Sequence, residues 1–278
     1  MNHPMPTTEK HRTMQALQDR LRLSDFFATL AHARRRVLML DYDGTLAPFH
    51  VNPDEAIPYP GMREALDGLM AAGHTRVVIV SGRWTRDLLP LLGLKQQPEV
   101  WGSHGWEQLK ANGEYEITRI DENALRQLVT ADDWAAEIEA KGGRCERKPA
   151  SLAIHWRGLP TSQVAEIRQT VFENWRMQEL HHHLEWHDFD GGIELRAPGR
   201  HKGDAVDAIL AEEVAGVPAA YLGDDATDEN AFKAIRGRGI GVLVRAQFRP
   251  TAADFWIRPP QEILTFLRDW RTACEGQP

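Results

Sequence analysis

Val37-Leu38-Met39-Leu40-Asp41-Tyr42-Asp43-Gly44-Thr45-Leu46 decides how the whole chain is read. Four consecutive apolar residues match a short buried strand. The run then gives way to an acid, an aromatic, a second acid, a glycine and a hydroxyl. Two carboxylates one residue apart at a strand's end are an expensive cluster of negative charge. A positive partner must offset it, and a divalent cation suits carboxylate oxygens. The plain alternative is a solvated turn that closes a strand. The rest of the chain decides between the two.

The sequence has 278 residues, enough for one large or two smaller domains. Its 42% hydrophobic content supports a sizeable core. With 33 basic and 40 acidic side chains the net charge is -7, which leaves no basic footprint for nucleic acid. Cys145 and Cys274 form neither a metal-ligand pattern nor a disulfide framework, which points to a reducing compartment. Met1 to Arg12 is polar and lacks an apolar signal core, and no apolar run approaches the roughly 20 residues that span a bilayer. The expectation is a soluble, cytoplasmic, monomeric protein with no membrane partner. Met1 to His11 is expected to be disordered.

A helical pattern then runs through Leu17, Leu21, Leu23, Phe26, Phe27 and Leu30, with Ser24 a candidate cap for a second short helix. Prolines 48, 53, 58 and 60 keep Phe49 to Pro60 irregular. Gly61 to Ala72 reads as a helix, Thr75 to Val80 as a strand ending in Ser81-Gly82-Arg83, and Thr85 to Leu92 as a helix. Glu99 to Trp101 is a short strand ending in Gly102-Ser103-His104-Gly105. Alternating strands and helices imply a doubly wound parallel sheet, whose ligands sit beyond the strands' carboxyl ends. Asp41, Ser81 and His104 all fall at such ends.

The rhythm changes after Trp106. Asn112-Gly113 marks a hairpin between Trp106–Leu109 and Tyr115–Ile120. A long helix is expected over Glu122 to Lys141, stopped by Gly142-Gly143. Strands at Arg144–Lys148 and Ser151–Arg157 precede a helix from Ser162 to Trp175. Strands at Glu185–Phe189 and Ile193–Ala197 follow. Together these predict an inserted α+β module over 108–199, between core segments 36–107 and 200–278, behind an N-terminal tail and helix over 1–35. Helix, strand and helix then resume at Lys202, Ala219–Leu222 and Asp228–Ile235, with Thr227 a candidate cap. Gly241–Val244 and Asp254–Ile257 read as final strands, and Pro260 to Ala273 as the last helix.

Four groups now share one rim: Asp41 with Asp43, Ser81, Lys202, and the acidic run Asp224, Asp225 and Asp228. A carboxylate can attack phosphorus once a hard cation stabilises its charge. Asp41 and Asp224, with the Asp43 main-chain carbonyl, offer the oxygens that Mg2+ prefers. Lys202 and Ser81 can hold phosphoryl oxygens. Asp43, two residues after Asp41, can move protons. Each group has a plainer reading: Lys202 as a first-turn lysine, Ser81 as a strand-end cap, Asp224 and Asp225 as partners of a helix dipole. His104 reads equally as a structural histidine or a substrate contact. His181-His182-His183 cannot all face one ion from a regular element. Trp156 and Trp186 are core or cap residues, or sugar-stacking ones.

The segments Asp41-Tyr42-Asp43-Gly44-Thr45-Leu46, Ser81-Gly82-Arg83, Lys202-Gly203 and Gly223-Asp224-Asp225-Ala226-Thr227-Asp228 resemble the haloacid-dehalogenase superfamily of phosphohydrolases. Gly102-Ser103-His104-Gly105, the run Cys145 to Arg157, and Ile193-Glu194-Leu195-Arg196 extend the resemblance to the trehalose-6-phosphate phosphatases within it. The resemblance implies a Rossmann-like core with an inserted α+β cap, and a small-molecule sugar phosphate as substrate. It makes Asp41 the nucleophile, Asp43 the acid and base, and Ser81 and Lys202 the phosphate holders. Mg2+ would lie on Asp41, the Asp43 carbonyl and Asp224, with Asp225 and Asp228 as supporting acids. Arg83, His104, Glu146, Arg147, Lys148, Ser151 and Glu194 would face the substrate, with His155 a further candidate. Two departures are visible: Ala197 stands before Pro198, and Arg200-His201 precedes Lys202 where an asparagine is common. Other sugar phosphates, such as sucrose 6-phosphate or glucosylglycerol phosphate, remain alternatives. A signalling receiver does not carry its acid pair and acceptor on one first strand. A non-catalytic sugar-phosphate sensor would be expected to lack Asp41 or Asp43.

Overall fold

A computed structural model describes residues 14–17 and 22–275. The chain opens on β1 (Gln15–Ala16), α1 (Leu23–His32) and β2 (Arg36–Leu40). Then come α2 (Met62–Ala71), β3 (Thr75–Val80), α3 (Thr85–Leu92) and β4 (Glu99–Gly102). A hairpin, β5 (Glu107–Leu109) and β6 (Tyr115–Ile117), follows. The next stretch contains α4 (Glu122–Asp132), α5 (Ala135–Ala140), β7 (Arg144–Lys148), β8 (Ser151–His155), α6 (Thr161–Met177), β9 (Glu185–Phe189) and β10 (Gly192–Arg196). The chain ends in α7 (Lys202–Ala211), β11 (Ala219–Gly223), α8 (Glu229–Ile235), β12 (Ile240–Val244), β13 (Phe255–Ile257) and α9 (Gln261–Glu275).

One nine-stranded sheet runs β1-β13-β12-β11-β2-β3-β4-β5-β6. From β13 to β4 every pairing is parallel. β2 lies at the centre, and all five of its residues are buried, which explains its unbroken apolar run. One face packs on α1, α2, α3 and α9, through residues such as Leu40, Ile79, Leu88 and Phe266. The other packs on α7 and α8, through Met39, Val80, Val206 and Phe232. A second, antiparallel sheet, β7-β8-β10-β9, has its own core with α4, α5 and α6. The doubly wound core and an additional α+β layer are therefore as expected. No helix among the described residues is long and apolar enough to cross a membrane.

Several local expectations differ. Leu17 is not helical; it lies in a bend just after Gln15 and Ala16, which pair antiparallel with Trp256 and Phe255 and cover the sheet's edge. Helix α1 starts at Leu23 with Ser24 inside it and no side-chain cap. Met1 to His11 and Leu21 lie outside the described residues. The long helix over 122–141 is two helices, because Asp133 and Trp134 turn the chain and bury Trp134. Gln108, the expected start of the inserted module, lies inside β5, which pairs with β4. The hairpin therefore extends the large sheet, and the second sheet begins at Arg144. Thr227 caps nothing; the turn before α8 is held by Asp228, whose carboxylate accepts from the Asp225 N–H.

Trp270 closes one face of the large sheet. It is fully buried, meets Phe26 and Phe266 at centroid distances of 5.8 and 5.9 Å, and donates its indole N–H to Thr75 Oγ1 at 3.0 Å. Trp270→Ala is expected to lower the unfolding free energy by about 3–5 kcal/mol in urea titrations. A loss below about 1 kcal/mol would show that α9 is not needed to close this face.

Candidate active site

Adjacent strands β11, β2, β3 and β4 end on one rim, and their carboxyl ends deliver Asp224, Asp41, Ser81 and Ser103-His104. Strand pairing continues to the first acid, since the Asp41 N–H donates to Leu222 O at 2.8 Å. Lys202, the first residue of α7, reaches into the same space. Its Nζ donates to Asp41 Oδ1 at 2.6 Å and Asp228 Oδ1 at 2.8 Å. Asp41, Lys202, Asp224 and Asp228 are all buried. Gly44 has φ +83°, and a Cβ there would overlap the Asp224 carboxylate. Only glycine combines that backbone with that closeness.

Asp228 braces this cluster. Its Oδ1 also accepts the Tyr221 hydroxyl at 2.6 Å, and its Oδ2 accepts the N–H groups of Asp224 at 3.0 Å and Asp225 at 2.9 Å. A carboxylate has about four lone-pair sites, and four donors fill them. Asp41 and Asp224 are less occupied: Asp41 accepts from Lys202 and, at 3.2 Å, from Thr45 Oγ1.

Charge is unbalanced here. Burial pushes the Asp41 carboxyl up to about 7 against the pull of Lys202, with Asp228 and Asp43 adding to the rise. Burial and then Asp41, Asp228 and Asp225 push Asp224 well above the usual carboxylate range. Burial works against the Lys202 charge, but Asp228 and Asp41 outweigh it and raise that group. One buried ammonium, with the Arg245 guanidinium 3.8 Å from Asp224 Oδ2, thus faces three buried carboxylates whose oxygens lie within 4.8 Å of one another. An all-oxygen set short of positive charge fits a hard divalent cation. Oxygens from Asp41 and Asp224 are the ones left to hold it.

Asp43 lies beside this cluster and is clamped. Arg83 Nε and Nη2 donate to its two oxygens, each at 2.7 Å, and Arg83 Nη1 donates to Pro53 O at 2.9 Å. Ser81 is buried and its Oγ accepts the Arg83 N–H at 3.1 Å. Asp225 is half-buried at the same rim.

The second sheet roofs this floor. Its strands alternate, so Cys145, Leu152, Ile154, Ile193 and Leu195 enter the apolar core. The other face carries registered rows, Glu146–Ala153–Glu194 and Lys148–Ser151–Arg196. Glu194 Oε1 accepts from Lys148 Nζ at 2.9 Å and Ser151 Oγ at 2.7 Å. Its Oε2 accepts from Arg196 Nε at 2.7 Å and pairs with His104 Nε2 at 3.0 Å. Burial opposes the Glu194 charge, yet Arg196, Lys148 and His104 hold its carboxyl well below its usual value. Burial likewise opposes Glu146, but Lys148, His155 and Arg144 bring it down to about 2.

The cavity between floor and roof takes in Asp41, Asp43, Arg83, His104, Glu146, Lys148, Glu194, Lys202 and Asp224. Ser151 stands behind it as a donor to Glu194. Arg147 is not brought in: one residue out of phase with Glu146 and Lys148, it turns outward to Asp132 at 2.7 Å. Trp156 lies under Arg168, and Trp186 packs on Trp175, so neither faces the cavity. His181 to His183 sit in a short turn away from it. The sequence reading missed Phe49, Val51, Phe189 and Asp190 in the lining. Two apolar residues, Phe49 and Val51, in a proline-rich loop were the available signal.

The fold is like that of a solved phosphatase of the haloalkanoate (HAD) enzyme superfamily from Bacteroides thetaiotaomicron, which superposes with a TM-score of 0.56 at 17% identity, covering 85% of this chain and 95% of that one. Among solved structures, the C-terminal domain of a C. albicans trehalose-6-phosphate phosphatase superposes with a TM-score of 0.78 at 22% identity, covering 92% of this chain and 99% of that one. The trehalose-phosphatase family profile matches residues 39–257, and the chain belongs to that family. A trehalose 6-phosphate phosphatase of Zea mays is 31% identical over 271 residues, covering 88% of this chain and 73% of the relative. A trehalose-phosphate phosphatase of Mycobacterium ulcerans is 30% identical over 253 residues, covering 84% and 60%.

Two outcomes test this geometry. Gly44→Ala should disrupt the site by displacing Asp224, with a thermal melt that stays cooperative and phosphate release that falls at least about tenfold. Unchanged turnover would show that the contact is dispensable. Burial, with the charge of Arg196, lowers the His104 imidazole from 6.5 to about 3. The unfolded chain therefore takes up this proton first as pH falls, and stability drops from pH 6.5 towards 3. His104→Gln should flatten the dependence of the melting temperature on pH across that window; equal slopes would contradict it.

Proposed function

We propose that the chain is a monomeric, Mg2+-dependent phosphatase that hydrolyses trehalose 6-phosphate to trehalose and inorganic phosphate. One observation carries the mechanism: the Asp41 carboxylate sits at the central strand end, between the Lys202 ammonium and Asp224. Asp41 attacks phosphorus, forming an oxygen–phosphorus bond as the bond to the sugar oxygen breaks. Asp43 gives that oxygen its proton. Water then attacks the aspartyl phosphate, Asp43 takes a proton back, and Asp41 is restored as phosphate leaves. Bound Mg2+, held by Asp41, Asp224 and the Asp43 carbonyl, supplies charge stabilisation to the phosphoryl oxygens. Lys202 adds an ammonium and Ser81 a hydroxyl to the same end.

Arg83 sets a condition on this scheme. Both Asp43 oxygens accept from it, so proton transfer must begin with one of those bonds loosening. At the roof, Glu194 is already filled by four donors. It holds Lys148, Arg196 and His104 in place, while Glu146 and Lys148 offer the sugar hydroxyls acceptors and donors. The share of each relative's name that concerns trehalose phosphate supports this choice of sugar.

A phosphate-release assay over trehalose 6-phosphate, sucrose 6-phosphate, glucose 6-phosphate and glucosylglycerol phosphate, with and without Mg2+, tests the reading. Trehalose 6-phosphate should be preferred and Mg2+ required. Asp41→Asn should lose at least about 10^3-fold in kcat while folding normally, and near-parental release would sink the mechanism. Glu146→Ala should raise KM for trehalose 6-phosphate by about 10–100-fold and that for a small aryl phosphate far less, as expected for a lost charged hydrogen bond. Equal losses on both substrates would remove Glu146 from the sugar site.

A further inference from the structure

We propose that Arg249, on the loop between β12 and β13, is a positioning residue that fixes the Asp224–Asp225 peptide for cation binding. The inference rests on the magnesium reading of the site and concerns how Asp224 is aimed. Asp224 follows β11 directly, where strand pairing no longer dictates the backbone. Its direction depends on what holds the two peptide planes around it.

Both sides of this dipeptide are held. The N–H groups of Asp224 and Asp225 donate to Asp228 Oδ2, at 3.0 and 2.9 Å. The carbonyls meet arginines, and Asp225 O also accepts the Asp228 N–H at 3.0 Å. Arg249 Nη2 donates to Asp225 O at 2.6 Å and Arg249 Nε to Asp224 O at 3.4 Å. Arg245 Nη1 donates to Asp224 O at 3.3 Å. Arg249 is itself fixed, since Nη1 meets Glu229 Oε1 at 2.6 Å, and Glu229 Oε2 accepts the Ala252 N–H at 2.7 Å. Nη1 also donates to Pro250 O at 3.0 Å, so the guanidinium fork bridges several acceptors at once through a rigid set of donors that an ammonium does not reproduce. All four backbone polar groups of the dipeptide are therefore occupied: Asp228 engages three of them, sharing Asp225 O with Arg249, and the arginines alone hold Asp224 O. The loop carrying Arg249 is anchored in turn: the Trp256 indole donates to Arg245 O at 2.7 Å, and Phe248 packs on Trp256. Groups that orient a metal ligand without touching the ion set its affinity by about 10–100-fold.

The test is calorimetric titration of Mg2+ into the full chain without substrate, beside Asp224→Asn, Arg249→Ala, Arg249→Lys and Glu229→Gln. The parent should bind and Asp224→Asn should not. Arg249→Ala should bind at least about tenfold more weakly, with Arg249→Lys between it and the parent. Phosphate release by Arg249→Ala should return to within about twofold of the parent when Mg2+ is raised. Glu229→Gln, which loosens Arg249 while keeping its shape, should weaken binding in the same direction and serves if Arg249→Ala fails to fold. Parental Mg2+ affinity in either folded variant would overturn the inference and leave the magnesium reading standing. A parent that binds no Mg2+, or binds it equally with Asp224→Asn, would overturn both.

Discussion

A single buried ammonium, shared between two carboxylates, is the constraint on which the site depends. Lys202 comes from the start of α7, Asp41 from the end of β2, and Asp228 from the turn after β11. These segments meet because β11 pairs with β2, with Leu222 opposite Leu40. This end of the cavity is thus assembled only when the chain on both sides of the second sheet has folded together. A buried ion cluster of this kind is poor evidence for stability, because desolvation offsets the attraction. Removing one partner would cost about 3–5 kcal/mol by stranding the others. Burial raises the Asp41 carboxyl to about 7 even against the pull of Lys202, so added positive charge would favour its negative form.

The roof works by a different rule. Strict alternation sends one set of side chains into an apolar core and the other towards the cavity floor. Small Ala153 lies between Glu146 and Glu194 and leaves room over the middle of the sheet. Charges on this face are nearly all paired with one another, with Glu194 as the common acceptor. Such a network fixes positions at a desolvation cost. A floor short of positive charge and a roof with its charges matched make the two ends of the cavity chemically unlike. That difference fits a ligand with a charged end and a hydroxylated body.

Legibility followed locality. The acid pair, the Ser81 and His104 strand ends, Lys202 and the acidic run were readable because short segments with fixed spacing carry them. The strands were readable from apolar runs and period. Arg147 was misplaced although its segment was read well, because a resemblance names a stretch and alternation then halves it. The hairpin at 107–117 looks like any hairpin in sequence; only its pairing to β4 assigns it to the large sheet. Gln15 and Ala16 took on strand pairing from a partner more than two hundred residues away. The break at Trp134 was hidden because both halves of 122–141 favour helix, and burial of one indole decides the kink. Phe49, Val51 and Arg249 lie on loops, where period carries no information.

His104 joins the two unlike ends of the cavity. Ser103 and His104 both hold positive φ, 47° and 57°, a conformation that non-glycine residues rarely adopt. Two consecutive residues of this kind store strain of order 1–3 kcal/mol each, and the surroundings must over-determine them. They do: the Ser103 N–H donates to Arg83 O at 2.8 Å, the His104 N–H to Ser81 O at 3.0 Å, and the Ser103 hydroxyl to Glu107. Gly82 supplies the space, since a Cβ there would overlap the imidazole ring. The strained turn therefore locks the end of β4 onto the end of β3, beside Ser81. The same ring then meets Glu194 on β10. An imidazole kept neutral by burial can donate from Nε2 without adding charge to a roof already balanced. The strained turn in the large sheet is thus what places a hydrogen bond to the second sheet.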